Sequence, residues 1–98
     1  MTKITWDNFF TILGNHQRVR ILEYLKSGPK SVSQISDELN VQQSAVSHCL
    51  RKLRAFHFVD VRQVGKERIY SLNEETVIPL FDLASKHAKR YCVQKCEH

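Results

Sequence analysis

The hydrophobic period changes once along the chain, and this change most constrains the fold. Up to about residue 56, apolar residues recur every three or four positions, which is typical of amphipathic helices. Residues 58–64 and 68–72 alternate instead, with partial regularity, and the Gly65-Lys66-Glu67 segment between them can turn the chain. Helical spacing then returns up to residue 91. This order predicts a mainly α-helical fold with one small two-stranded β-hairpin.

The first predicted helix presents four large apolar residues on one face: Trp6, Phe9, Phe10 and Leu13. Asn15 is placed to cap a second helix, and Ser31 or Ser33 to cap a third. A fourth helix is predicted from about Gln43 to Phe56. Cys49 lies on the inner, apolar side of this helix, so we interpret it as a small buried core residue rather than a sensor.

A last helix is predicted to begin between Asn73 and Val77, and Pro79 restricts its start. Proline is tolerated in the first turn, where backbone N–H groups have no helical partner, so Thr76 is the favoured N-cap. A start at Asn73 would place a kink at Pro79. Further along, apolar residues alternate spacings of four and three, as in a coiled coil: Val77, Phe81, Ala84, Ala88 and Tyr91. This seam and the apolar face of the first helix predict a dimer interface.

Length and composition predict a soluble globular protein. The 98 residues fit one domain spanning residues 1–98, and a hydrophobic share of 42% with 26% charged residues excludes a disordered or fibrous chain. No apolar run approaches the about 20 residues that span a membrane, and the first residues lack the apolar stretch of a signal peptide. We therefore expect a cytoplasmic protein with no membrane partner, whose three cysteines are not in structural disulfides.

Positive charge is concentrated in the centre of the chain. The formal net charge is +5, and residues 41–68 alone contain six basic and two acidic side chains. Such a segment favours a polyanionic partner, with nucleic acid as the first choice. On charge alone, a solvated face that maintains solubility explains it equally well.

The predicted elements follow the order of a winged helix-turn-helix. Two short helices, of which the second is basic and polar on its outer face, are followed by a hairpin. The major groove of DNA, about 12 Å wide, admits a helix with short polar residues near its N-terminus. The predicted DNA-binding residues of this helix are Gln42, Gln43, Ser44, Ser47, His48, Arg51 and Lys52. Glutamine can pair with adenine through two hydrogen bonds, and three hairpin residues are predicted to contact phosphates: Arg62, Lys66 and Arg68.

Three segments resemble the ArsR/SmtB family of winged-helix repressors. Residues 13–22, LGNHQRVRIL, resemble the family's L-x-(D/N)-P-T-R-x-x-I-L opening, with His-Gln in place of Pro-Thr. Residues 43–54, QSAVSHCLRKLR, resemble the recognition helix (Q/S)-S-x-V-S-x-H-L-x-x-L-R, with Cys49 in the usual histidine position. Residues 64–72, VGKERIYSL, resemble the wing x-G-(R/K)-x-x-x-Y-x-L. The left-handed position after the recognition helix, usually glycine in the family, falls on His57.

The resemblance implies a homodimer that binds an inverted-repeat operator in double-stranded DNA, usually as a repressor released by an inducer, often a metal ion. One family metal site, Cys-x-Cys at the start of the third helix, is absent because residues 32–36 contain no thiol. Another family site pairs the last helices of two subunits, and its positions fall on Glu74 and Thr76 at the start of one helix and on His87 and Arg90 in the middle of the other. Only Glu74 and His87 of these could bind a metal, and an arginine repels a cation.

The C-terminal end contains a different candidate set: His87, Cys92, Cys96 and His98. Two thiolates and one or two imidazoles could form a tetrahedral site for zinc or a softer metal. The same cysteines could act as a thiol switch, since neighbouring Lys89, Arg90 and Lys95 favour the thiolate. The third interpretation is a frayed tail with two incidental cysteines. The sequence leaves all three open.

An alternative function is a winged-helix interaction module that binds protein or RNA without an inducer. Small residues near the start of the fourth helix, Ser44, Ala45 and Ser47, argue against it because they suit a DNA groove. Catalysis is not expected. The sequence has no glycine-rich phosphate loop, no HExxH motif and no paired-acid cleft.

Overall fold

The computed structural model describes residues 5–92 and places eight helices and strands before a terminal π-helical segment. In chain order these are α1 (Trp6–Leu13), α2 (His16–Leu25), β1 (Lys30–Ser31), α3 (Val32–Leu39), α4 (Gln43–Ala55), β2 (Val59–Val64), β3 (Glu67–Leu72) and α5 (Glu74–His87), and the π-helical segment is Ala88–Cys92. The predicted mainly helical fold with a hairpin is confirmed. Within residues 5–92, no helix has the length and apolar character needed to cross a membrane.

The sheet has three antiparallel strands in the order β1-β3-β2, so the prediction of a two-stranded hairpin was incomplete. Lys30 pairs with Tyr70, and Ser31 with Ile69. β1 was not predicted because two residues cannot show an alternating pattern. Ser31 also caps α3: its hydroxyl accepts a hydrogen bond from the Gln34 N–H, and the Gln34 side chain accepts one from the Ser31 N–H. The start of α3 is therefore fixed to the wing strand β3.

One hydrophobic core joins the helices to the sheet. It includes Ile21 and Leu22 of α2, Ile35 of α3, and Val59 and Leu72 of the hairpin. The predicted inner side of α4 is confirmed, since four of its residues are buried: Val46, Cys49, Leu50 and Leu53. The predicted Asn15 cap is also confirmed, because the Asn15 side chain accepts a hydrogen bond from the Arg18 N–H at 3.1 Å. The exposed face of α4 is thus set by burial of the opposite face.

The last helix begins at Glu74, so the preferred prediction of a start after Thr76 was wrong. Tertiary hydrogen bonds explain the earlier start. The Asn73 side chain donates to the His57 carbonyl at 2.8 Å, and the Asn73 N–H donates to the Phe58 carbonyl at 3.0 Å. Pro79 therefore lies inside the helix, where it removes one backbone hydrogen bond. His57 has the expected left-handed backbone, with φ of 61°.

The seam predicted along α5 faces the chain's own core at its start. Val77 is completely buried, so its assignment to a dimer contact was wrong for this conformation. Phe81 is half-buried in a shallow groove beside Val19 and Glu23 of α2. The Lys26 ammonium lies 5.1 Å from the centre of the Phe81 ring. The exposed large apolar residues of this end are Tyr91, which belongs to the predicted seam, and Leu83, which does not; they are 66% and 68% exposed.

Candidate nucleic-acid interface

The turn between α3 and α4 presents the N-terminus of α4 to solvent. Asn40 ends α3 with a left-handed backbone, φ 55° and ψ 49°, which asparagine adopts more readily than most residues. The Ser36 carbonyl accepts the Val41 N–H at 3.1 Å, and the Ser36 hydroxyl donates to the Val41 carbonyl. Gln42 occupies the N-cap without a side-chain capping bond. Its amide is therefore not committed to α4 and remains exposed.

The structure brings all seven predicted α4 residues to one side of the molecule. Six are exposed and Ser47 is half-buried: Gln42, Gln43, Ser44, Ser47, His48, Arg51 and Lys52. The helix has 13 residues, which corresponds to a length of about 20 Å. Its first turn is polar, and two cations, Arg51 and Lys52, lie about two turns further along the helix. Short hydrogen-bonding groups followed by positive charge suit contact with base edges and phosphates.

The three predicted wing residues do not lie on the same face of the hairpin. Arg62 is opposite Ile69 in the register, whereas Arg68 is opposite Gln63, and facing pairs alternate between the two sides of a sheet. Arg68 shares the side of Tyr70, which faces the core and the helices. Arg62 lines a separate depression with Pro29 and Asp60. The structure therefore brings Arg68 toward α4 and leaves Arg62 on the outer face.

Lys66 occupies the tip of the wing. The tip has two residues between Val64 and Glu67, which are paired in the register. Gly65 at the first turn position has φ of 62°, a left-handed value that favours glycine. The Gln63 side chain donates to the Gly65 carbonyl at 3.1 Å and tightens the turn. This geometry holds the exposed Lys66 beyond the ends of the strands.

A shallow groove of about 280 Å³ connects the start of α3, the start of α4 and the wing, and we call it the reading groove. It is lined by Ser31, Val32, Ser33, Gln43, Ser47, Lys66, Glu67 and Arg68. Two cations lie on the wing side against one carboxylate, and hydroxyl and amide groups lie on the helix side. Sequence reasoning considered Ser33 only as a helix cap. Its place in the groove follows from the β1–β3 pairing, which no sequence pattern showed.

The comparisons with known proteins agree with this geometry. Residues 15–61, which include α2, α3 and α4, match the family model described as bacterial regulatory protein, arsR family. The chain is 36% identical over 77 residues to the HTH-type transcriptional regulator NmtR of Mycobacterium tuberculosis, covering 79% of this chain and 64% of the relative.

This chain thus contains an ArsR-family segment, residues 15–61. It is also 34% identical over 79 residues to a transcriptional repressor SmtB homolog of Synechocystis, covering 81% of the chain and 60% of that protein. The chain thus spans less than two thirds of the length of these two relatives. The crystal structure of Mycobacterium tuberculosis Rv0081 superimposes with a TM-score of 0.81 at 29% identity, covering 91% of this chain and 90% of the other. The homodimeric winged helix-turn-helix domain Mb0332 of Mycobacterium bovis shares the fold, with a TM-score of 0.80 at 22% identity over 100% and 99% of the two chains.

The residues at the ArsR-family α5 metal positions do not fit a metal site in this chain. Only two of the four positions, Glu74 and His87, carry side chains that could bind a metal. Thr76 and Arg90 supply no suitable ligand. Among the residues that the structure describes, no group of three or more His, Cys, Asp or Glu side chains could hold a metal ion.

The candidate metal or thiol set is only partly described. His87 is exposed, and its ring lies 5.0 Å from that of Tyr91. Cys92 is a half-buried free thiol at the end of the π-helical segment, whereas Cys96 and His98 lie outside the described residues. Cys49 is buried as predicted, with its sulfur 3.8 Å from the Gln17 side-chain oxygen.

The apolar face predicted on α1 is divided between the core and solvent. Phe9 is half-buried and packs 5.4 Å from the Phe58 ring, centre to centre, and Leu13 is also half-buried. Trp6 and Phe10 are 70% and 58% exposed. The Arg18 guanidinium donates to the Thr11 and Ile12 carbonyls at the end of α1, which fixes this helix against α2. Sequence reasoning did not identify this role of Arg18.

Proposed function

We propose that this chain is a homodimeric, sequence-specific DNA-binding transcriptional repressor of the ArsR family that recognises an inverted-repeat operator. The observation that carries the proposal is the reading groove, in which the polar start of α4 and the wing cations Lys66 and Arg68 share one surface. Double-stranded DNA matches this combination, because its base edges offer hydrogen bonds to the polar groups and its phosphates attract the cations. The family match and a relative named as a transcriptional repressor support the same conclusion. The protein acts by binding, in the cytoplasm, as one domain spanning residues 1–98.

The two sides of the interface have different roles in this proposal. Gln43, Ser47 and His48 lie in the first two turns of α4 and read base edges, since they combine short or flexible side chains with hydrogen-bonding groups. Lys66 and Arg68 contact phosphates and hold the helix in register. Flanking contacts come from the other exposed polar and basic residues of the same helix: Gln42, Ser44, Arg51 and Lys52.

The second copy covers the exposed apolar residues of α1 and α5. Trp6, Phe10, Leu83 and Tyr91 are each more than half exposed. The Trp6 and Phe10 rings stack with their centres 6.1 Å apart, so they form one exposed apolar patch, and such patches often mark interaction sites. Ala84 and Ala88 border the same end of α5. A dimer also supplies the two recognition helices that half-sites about 34–36 Å apart require.

The signal that releases DNA is proposed to act at the C-terminal cysteines, as zinc, a softer metal or an oxidant. Cys92 is the last residue of the π-helical segment that follows α5, and it lies far along the chain from α4. A ligand at this end changes DNA affinity by favouring one dimer geometry, with a coupling of typically about 1–3 kcal/mol. Direct contact with DNA is not required.

Fluorescence anisotropy tests the main proposal. The full chain is first used to select its preferred DNA from a randomised duplex library, and affinity is then measured for that duplex, a scrambled duplex and a matched duplex RNA. We expect the selected site to be an inverted repeat bound by two chains. Specific DNA is expected to be bound about 10³-fold or more tightly than scrambled DNA. Equal affinity for scrambled DNA, or tighter binding of RNA, would contradict the proposal.

A further inference from the structure

Ser33 on α3 and Gln43 on α4 form a hydrogen bond across the reading groove. The Gln43 side-chain Nε2 donates to the Ser33 hydroxyl oxygen at 3.4 Å. Both residues are exposed, and both line the groove that contains the wing cations. We propose that Ser33 positions the Gln43 amide for one base pair and so sets part of the sequence preference. This inference rests on the proposed function, because it requires that Gln43 meets DNA.

The backbone positions of both partners are fixed independently of the side-chain contact. Ser33 is in the first turn of α3, which the Ser31–Gln34 capping box and the pairing of β1 with β3 hold in place. Gln43 opens α4 directly after the left-handed turn at Asn40. The two side chains therefore face each other before DNA arrives. A tethered glutamine has less rotamer freedom to lose when it binds DNA.

The donor and acceptor pattern that remains on Gln43 selects the base. A carboxamide has two N–H groups and one carbonyl oxygen. When one N–H is bonded to Ser33, one N–H and the carbonyl remain, and these match the N7 acceptor and N6 donor of adenine. Guanine presents two acceptors, O6 and N7, and would need both N–H groups. The observed arrangement therefore favours adenine over guanine.

The opposite arrangement has a distinguishable consequence. A serine hydroxyl can also donate, and donation to the Gln43 carbonyl would leave both N–H groups free for guanine. The identity of the preferred base thus reports which hydrogen bond operates. A guanine preference at the Gln43 position would overturn the proposal.

The experiment uses a selected operator and four variants of the full chain. Gln43→Ala first identifies the base pair that Gln43 reads, as the position where sequence preference disappears. Ser33→Ala is expected to lower the preference for adenine over guanine there by about two- to tenfold, the usual net value of one hydrogen bond. Preferences at other positions, affinity for scrambled DNA and the melting temperature should not change. Ser33→Thr, which keeps the hydroxyl, should retain the preference, and the double variant should behave as Gln43→Ala.

The possible outcomes separate this inference from the proposed function. If Gln43→Ala loses a base preference but Ser33→Ala does not, Ser33 has no positioning role and base reading by Gln43 stands. If Ser33→Ala weakens binding to all DNA alike, Ser33 is a phosphate contact and the inference is wrong. If Gln43→Ala changes no preference, both the base-reading role and the inference fail.

Discussion

The different positions of Lys66, at the wing tip beside the reading groove, and Arg62, on the outer face, give a quantitative prediction for the salt dependence of DNA binding. Each phosphate contact contributes about 0.9 to the slope of log affinity against log salt concentration. A homodimer presents Lys66 twice, so Lys66→Ala should lower the magnitude of the slope by about 1.8. Over a fourfold rise in salt, the affinity of Lys66→Ala should therefore fall about 12-fold less than the affinity of wild type. This change in slope should be similar for operator and scrambled DNA, because phosphates carry no sequence information.

Arg62→Ala is the matched control, since it removes the same charge from the same hairpin at a position outside the reading groove. Anisotropy titrations from 50 to 200 mM salt, on operator and scrambled duplexes, give the slopes for wild type and both variants. We expect Arg62→Ala to change the slope by less than half as much as Lys66→Ala. An equal change for the two variants would refute this distinction between the two positions. A change of base preference in Lys66→Ala would refute its assignment to phosphates.

Three further expectations concern the dimer, the tail and the fold. Leu83→Glu should dissociate the dimer at micromolar concentration in sedimentation velocity, and a folded, dimeric variant would contradict the proposed interface. Phe81→Ala should instead lower the free energy of unfolding by about 1–3 kcal/mol, because Phe81 packs on α2. The double variant Cys92→Ser, Cys96→Ser should bind operator like wild type and remain bound when zinc, a softer metal or an oxidant releases wild type; an unresponsive wild type would remove the thiol signal. Ser31→Ala should lower the free energy of unfolding in urea by about 1 kcal/mol through loss of the α3 cap, and no loss would show that the cap is redundant.

The family motifs and the periodicity predicted the exposed face of α4 because its residues share one helix. Burial of Val46, Leu50 and Leu53 fixes the orientation of α4, so the exposed polar residues follow from the 3.6-residue repeat. The contribution of Ser33 was not predictable in this way. It comes from α3 and reaches the groove only through the packing of α3 on α4 and the bond to Gln43.

Local patterns in the sequence determined the helices α1 to α4, the Asn15 cap and the two long strands, because each depends on residues a few positions apart, whereas the left-handed His57 was expected from the family resemblance. The tertiary structure decided the features that depend on distant partners. The pairing of Lys30 with Tyr70 created β1. Hydrogen bonds from Asn73 to the segment before β2 made α5 begin at Glu74, earlier than predicted. Packing buried Val77, the first residue of the predicted seam, in the chain's own core and left Leu83 and Tyr91 exposed. A periodic pattern shows that a helix has an apolar face, but only the packed chain determines whether its own core or a second copy covers that face.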